Sequence, residues 1–99
     1  MKILLICAAG MSTSLLKQKM LEQAEPDTII DAFAYGELED KIDHYDVVLV
    51  GPQLGYRMEK IKKTAAEHGK VAGSIDPIAY GRCQSDKVLK QAYDLLQSK

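Results

Sequence analysis

The chain has no tryptophan, one phenylalanine and only two cysteines, Cys7 and Cys83. Two thiols so far apart cannot make a disulfide framework, and there is no Cys-x-x-Cys for redox or zinc chemistry. Neither histidine, His44 or His68, stands at ligand spacing from a cysteine, so no metal site and no cofactor is expected. No sign of charge predominates: 13 Lys and Arg face 14 Asp and Glu, for a formal net charge of -1. That balance excludes the basic footprint of a nucleic-acid-binding protein and a cationic membrane-binding surface. Long apolar runs are also missing. The run Ile3 to Ile6 falls far short of the roughly 20 residues of a membrane span and of the roughly 7–15 residues of a secretory signal core. Repeats, linkers and low-complexity tracts are absent as well. A single domain over residues 1–99, cytoplasmic and with reduced thiols, is the expectation.

What is present is a strict alternation of two periodicities. Lys2 to Ile6 is a continuous aliphatic run, as in a strand covered on both faces of a parallel sheet. From Met11 the period changes, and Met11, Leu15, Leu16, Met20, Leu21 and Ala24 predict the buried face of a helix. Thr28 to Ala34 predicts a second strand, poorer in aliphatics and suited to a sheet edge. A short helical piece follows Gly36, with Leu38 and Ile42 four apart. "VVLV" before Gly51-Pro52 is the clearest strand in the chain. Leu54, Met58, Ile61 and Ala65 then predict a helix stopped by His68-Gly69. Val71 to Ile75 is a weaker fourth strand, and residues around Pro77 and Gly81 read as irregular. Ser85 is placed to cap a last helix that buries Val88, Leu89, Ala92, Leu95 and Leu96, with Asp86 favourable to its dipole. The predicted fold is doubly wound α/β: a four-stranded parallel sheet flanked by helices.

In such a sheet, ligands bind beyond the carboxyl ends of the strands. Cys7 stands at that end of the first strand. Ala8, Ala9, Gly10, Met11, Ser12 and Thr13 lead from it into the first helix, and Ser14 follows. Small side chains let successive backbone N–H groups converge as an anion nest, and the helix N-terminus adds positive potential. The same field favours a thiolate over a thiol whose free pKa is about 8.5. Cys7 is therefore a candidate nucleophile towards phosphorus, with residues 8–14 as its phosphate loop. The plain alternative is a small hydrophobe finishing a buried strand.

Three chemistries compete for such a loop. Low-molecular-weight cysteine phosphatases use Cys-x5-Arg and an Asp-Pro acid on a later loop. Here Thr13 stands where the arginine belongs, although Asp76-Pro77 is present. A redox module pairing Cys7 with Cys83 is the second possibility. The third is a phosphoryl carrier. Walker and dinucleotide glycine motifs are absent, as is the aspartate that a receiver domain needs after its third strand.

The stretches "ILLICAAGMSTSLL" and "DVVLVGPQLGYRMEKI", with the later "SIDPIAYG", resemble the IIB component of the bacterial phosphotransferase system in its lactose/cellobiose (chitobiose) class. The resemblance covers essentially the whole chain, and it implies the strand order 2-1-3-4. It implies a phosphotransferase component in which Cys7 accepts a phosphoryl group from a phosphohistidine of the IIA protein. Cys7 would then pass it to a sugar, such as a β-linked disaccharide, bound by the membrane IIC transporter. It also implies that Ala8 to Thr13 hold the phosphate and that Ser14 adds a donor. Gln53 and Tyr56 match the family's second motif, as residues that orient the loop or contact a partner. A monomer that meets its partners transiently is expected. The basic run Arg57 to Lys63 departs from the family picture and reads first as a solvated helix face, with docking to an acidic partner as the alternative. His44, His68 and Cys83 fall outside the motifs.

Overall fold

The structure, a computed structural model, describes residues 1–7 and 11–98, without the side chains of residue 7 and of residues 11–14. Its centre is a parallel four-stranded sheet of order β2-β1-β3-β4. The strands are β1 Lys2–Cys7, β2 Ile29–Ala34, β3 Val47–Val50 and β4 Val71–Ser74. The aliphatic run explains why β1 is interior. Ile3 to Ile6 and Val47 to Val50 have no exposed surface at all, as strands covered on both faces require.

Alternation along these strands divides the core in two. Ile3, Leu5, Val47 and Leu49 point to one face, where they meet Leu16 and Met20 of helix α1 (Met11–Gln23) and Val88, Leu89 and Ala92 of α5 (Ser85–Gln97). Leu4, Ile6, Val48 and Val50 point to the other. There they meet Leu38 of α2 (Leu38–Lys41) and Ile61 and Ala65 of α3 (Met58–Glu67). Each fully buried Leu or Ile adds about 1.5–3 kcal/mol. α3 ends in a Schellman motif, with Gly69 at φ 73°, its N–H on Ala66 O (3.1 Å) and Lys70 N–H on Ala65 O (2.8 Å). On the outer edge, Gln91 of α5 donates to Ser74 O of β4 at 2.7 Å. A Cβ at Gly73 would stand 2.8 Å from Leu95 Cδ1, so glycine lets α5 settle on that strand.

Five expectations are corrected. Leu15 and Leu21 are exposed, because α1 lies on the sheet along the narrower stripe Leu16–Met20–Ala24. The segment after β4 is not irregular: Pro77–Gly81 forms a short helix, α4, whose N-terminus is capped by the Asp76 side chain and which buries Ala79. The helix predicted from Leu54 begins at Met58 instead, and Pro52–Arg57 is a 3-10 segment with Leu54 kinked at φ −104°. Ser85 does not cap α5. Gln84 takes the cap position, and buried Ser85 Oγ accepts from Gln23 Nε2 of α1 at 2.8 Å. Leu95 and Leu96 are only partly buried.

At the β2 edge, the Tyr45 hydroxyl donates to Asp31 Oδ2 at 2.6 Å, and Lys17 of α1 reaches Asp31 Oδ1 at 3.6 Å. Burial, then the bond to Asp31 and its charge, pushes the Tyr45 phenol up to about 12.

Candidate functional site

All four strands are parallel, so their carboxyl ends share one rim of the sheet. Cys7 is the last residue of β1 and pairs in register with Ala34 of β2. Gly51 donates to Ile6 O and Ile75 to Val50 O, both at 2.8 Å, so the chain leaves β3 and β4 at the same level. Neighbouring strands lie about 4.8 Å apart. Tyr35, after β2, and Pro52, after β3, are therefore each one strand spacing from the end of β1. Asp76, after β4, is two spacings away, about 10 Å.

Cys7 thus lies at the end of an interior strand, and α1 begins at Met11. That helix aims the positive end of its dipole at the segment between them. The loop residues Ala8, Ala9 and Gly10 lie outside the described residues, and so do the side chains of Cys7, Met11, Ser12, Thr13 and Ser14. The second motif is described in full. Gln53 is exposed, and Tyr56 is 77% exposed, the most open large hydrophobic residue among those described.

Arg57 is held between two rings. Its guanidinium carbon lies 4.6 Å from the centroid of Tyr35 and 5.1 Å from that of Tyr56, and Nε donates to the Tyr56 hydroxyl at 3.2 Å. Hydrogen bonding to Tyr56, and then to Tyr35, raises its pKa further. The basic residue read from sequence as part of a solvated face is thus tied across the end of β1. Tyr35 carried no signal of its own in the sequence. Only the pairing of β2 and β3 on either side of β1 brings it to Arg57.

Asp76 is engaged in structure. Its Oδ2 accepts from the Ala79 N–H at 3.0 Å and caps α4. His68 lies at the opposite, amino-terminal rim, where Nδ1 meets Asp43 Oδ1 at 2.7 Å. Cys83 is a half-buried free thiol in the α4–α5 turn, with φ 51°. A cleft of about 290 Å³ opens between α2 and α3, lined by Tyr35, Gly36, Leu38, Glu39, Asp40, Lys60 and Thr64. No residue singled out as a site candidate lines it. Among the described residues, no three His, Cys, Asp or Glu side chains gather as metal ligands, and no helix is long and apolar enough to cross a membrane.

Fold and rim together define a doubly wound α/β protein whose first strand ends at the carboxyl rim of the sheet, shortly before a helix. Comparison with known proteins gives the family. Residues 2–91 match the family described as the lactose/cellobiose-specific IIB subunit of the PTS, the phosphotransferase system. The oligo-beta-mannoside-specific EIIB component of Bacillus subtilis is 36% identical over 98 residues, covering 96% of this chain and 95% of its own length. The cellobiose-specific EIIB component of Lactococcus lactis is 36% identical over 103 residues, covering 95% and 94%. The solution structure of the cellobiose-specific IIB protein of Borrelia burgdorferi superposes with a TM-score of 0.82 at 34% identity, covering 100% of this chain and 94% of that one. The lactose-specific IIB domain of Streptococcus pneumoniae shares the fold, with a TM-score of 0.79 at 20% identity over 94% of this chain and 97% of that one. The chain belongs to the lactose/cellobiose-specific IIB family and is a component of a sugar phosphotransferase system.

Proposed function

We propose that the chain is one IIB-type domain over residues 1–99 and acts in the cytoplasm as a phosphoryl carrier, with Cys7 as the phosphorylated residue. The observation that carries this reading is the place of Cys7: the last residue of an interior parallel strand, just before α1, in a chain of the IIB family. The Cys7 thiolate attacks the phosphorus of a phosphohistidine on IIA. The S–P bond forms as the N–P bond breaks, and the imidazole leaves with the electron pair. A hydroxyl of the sugar held by IIC then attacks the same phosphorus. The S–P bond breaks, the thiolate is regenerated, and the hydroxyl proton passes to a base in the membrane component or to water. Residues 8–14 hold the three phosphoryl oxygens through backbone N–H groups and hydroxyls, with the α1 dipole in support. The sugar is a β-linked disaccharide, in keeping with relatives named for cellobiose and oligo-β-mannosides.

A hydrolase would need a cation at the sixth position after Cys7 and an unengaged acid. Thr13 stands at that position, and Asp76 caps a helix about 10 Å across the rim. The test is intact mass after mixing the protein with phosphoenolpyruvate, the two general phosphotransferase proteins and a cellobiose-class IIA. One phosphoryl adduct is expected, dependent on IIA, absent from Cys7→Ser and protecting Cys7 from alkylation. An adduct that survives Cys7→Ser would move the acceptor elsewhere.

A further inference from the structure

We propose that Arg57 is a specificity-determining contact for the phosphoryl donor protein and binds a carboxylate on its surface. The inference rests on the carrier reading above. Four observations support it. The guanidinium is held between the Tyr35 and Tyr56 rings, with Nε fixed by the Tyr56 hydroxyl. Two cation–π contacts favour one rotamer of a side chain that otherwise loses rotamer entropy on docking. With Nε taken by the Tyr56 hydroxyl, the Nη groups still carry N–H donors for a carboxylate, the anion that arginine binds best. Second, Arg57 takes part in none of the ion pairs among the described residues, so no carboxylate among them neutralises its charge.

Third, Arg57 stands at the active rim, tied to Tyr35 directly after the residue that pairs with Cys7. Fourth, Tyr56 beside it is 77% exposed. Tyrosine and arginine side by side are the composition of protein-interface anchors. The position also distinguishes a partner contact from a phosphoryl contact. Tyr35 and Met58 pack on the sheet face of Leu4 and Ile6, whereas α1, whose N-terminus serves the loop, packs on the face of Ile3 and Leu5. Arg57 thus reaches the rim from the face opposite α1, where a docking protein covers it.

The experiment is the rate of phosphoryl transfer from phosphorylated cellobiose-class IIA to the full-length protein, Arg57→Met and Arg57→Lys, over a range of salt. Thermal melting of each variant serves as the folding control. Arg57→Met is expected to raise KM for phospho-IIA by about fivefold with kcat little changed, and to flatten the salt dependence. Arg57→Lys restores the salt dependence but only part of the affinity, because an ammonium neither stacks nor binds bidentately. An unchanged KM and salt slope in Arg57→Met would overturn the inference. So would a fall in kcat at constant KM, which would place Arg57 on the phosphoryl group itself. Transfer to the wild type separates the two levels: if it takes no phosphoryl group from IIA, the carrier reading fails and this inference falls with it.

Discussion

Leu15 and Leu16 are adjacent, chemically identical and both on the apolar side of α1 by periodicity, yet the fold treats them oppositely. Leu16 has no exposed surface, whereas Leu15 is 52% exposed. Truncating Leu16 to alanine removes three buried carbons, about 2.4 kcal/mol of transfer free energy at about 0.8 kcal/mol each. A residual cavity under α1 adds to this, for a total of about 3 kcal/mol within the usual range for buried leucines. For a domain of this size that lowers Tm by about 12–24 °C. Leu15→Ala removes surface that is already half in water and leaves no cavity. Alanine also has the higher helix propensity, so the net cost is below about 1 kcal/mol. Urea and thermal unfolding followed by circular dichroism measure both, and an unchanged urea slope confirms a common unfolded state. If the two variants lose equal stability, α1 does not sit on the Leu16–Met20–Ala24 stripe. Its N-terminus would then not face the end of β1 as described.

Two further outcomes follow from the polar contacts. The Tyr45 phenol, raised from 10.0 to about 12, stays neutral in the folded protein while the unfolded chain ionises. Its contribution to stability is complete below pH 10 and is lost between pH 10 and about 12; Tyr45→Phe should remove that part of the slope in pH-dependent urea melts, and an identical slope would refute the link. Asp76→Ala should cost about 1 kcal/mol as a lost helix cap. Phosphoryl acceptance per folded molecule should hold, whereas loss of a general acid would lower it about 100-fold or more.

The alternation of aliphatic strands and amphipathic helices made the parallel sheet and the interior place of β1 legible in the sequence, and the family resemblance supplied the strand order. Two strands of unbroken Ile, Leu and Val have no stable position other than the middle of a parallel sheet. What stayed illegible depends on contacts between distant segments. Periodicity cannot say how wide the buried stripe of α1 is, because the curvature of the sheet and the placement of α5 decide it. Asp76-Pro77 carries both a cap signal and an acid signal, and only the bond to Ala79 N–H distinguishes them. Ser85 looked like a cap, yet its hydroxyl is taken by Gln23 from another helix. The place of Cys7 at the rim could be read from the strand alone. The Arg57 stack could not, since it joins segments that follow two different strands.

The same contrast bears on why a phosphoryl carrier would lack the arginine of a phosphatase loop. A guanidinium six residues after Cys7 would stabilise the charge on a transferring phosphoryl group whatever the nucleophile, water included. The phosphocysteine would then drain into hydrolysis between encounters. Thr13 at that position offers a hydroxyl but no charge. Arg57, a cation at the same rim, contacts Tyr35 and Tyr56. In the proposed carrier, positive charge therefore acts on which protein docks, and the phosphoryl group meets a strong electrophilic environment only when a partner supplies it. In the proposed carrier, selectivity of transfer over hydrolysis would then arise from the want of an arginine six residues after Cys7.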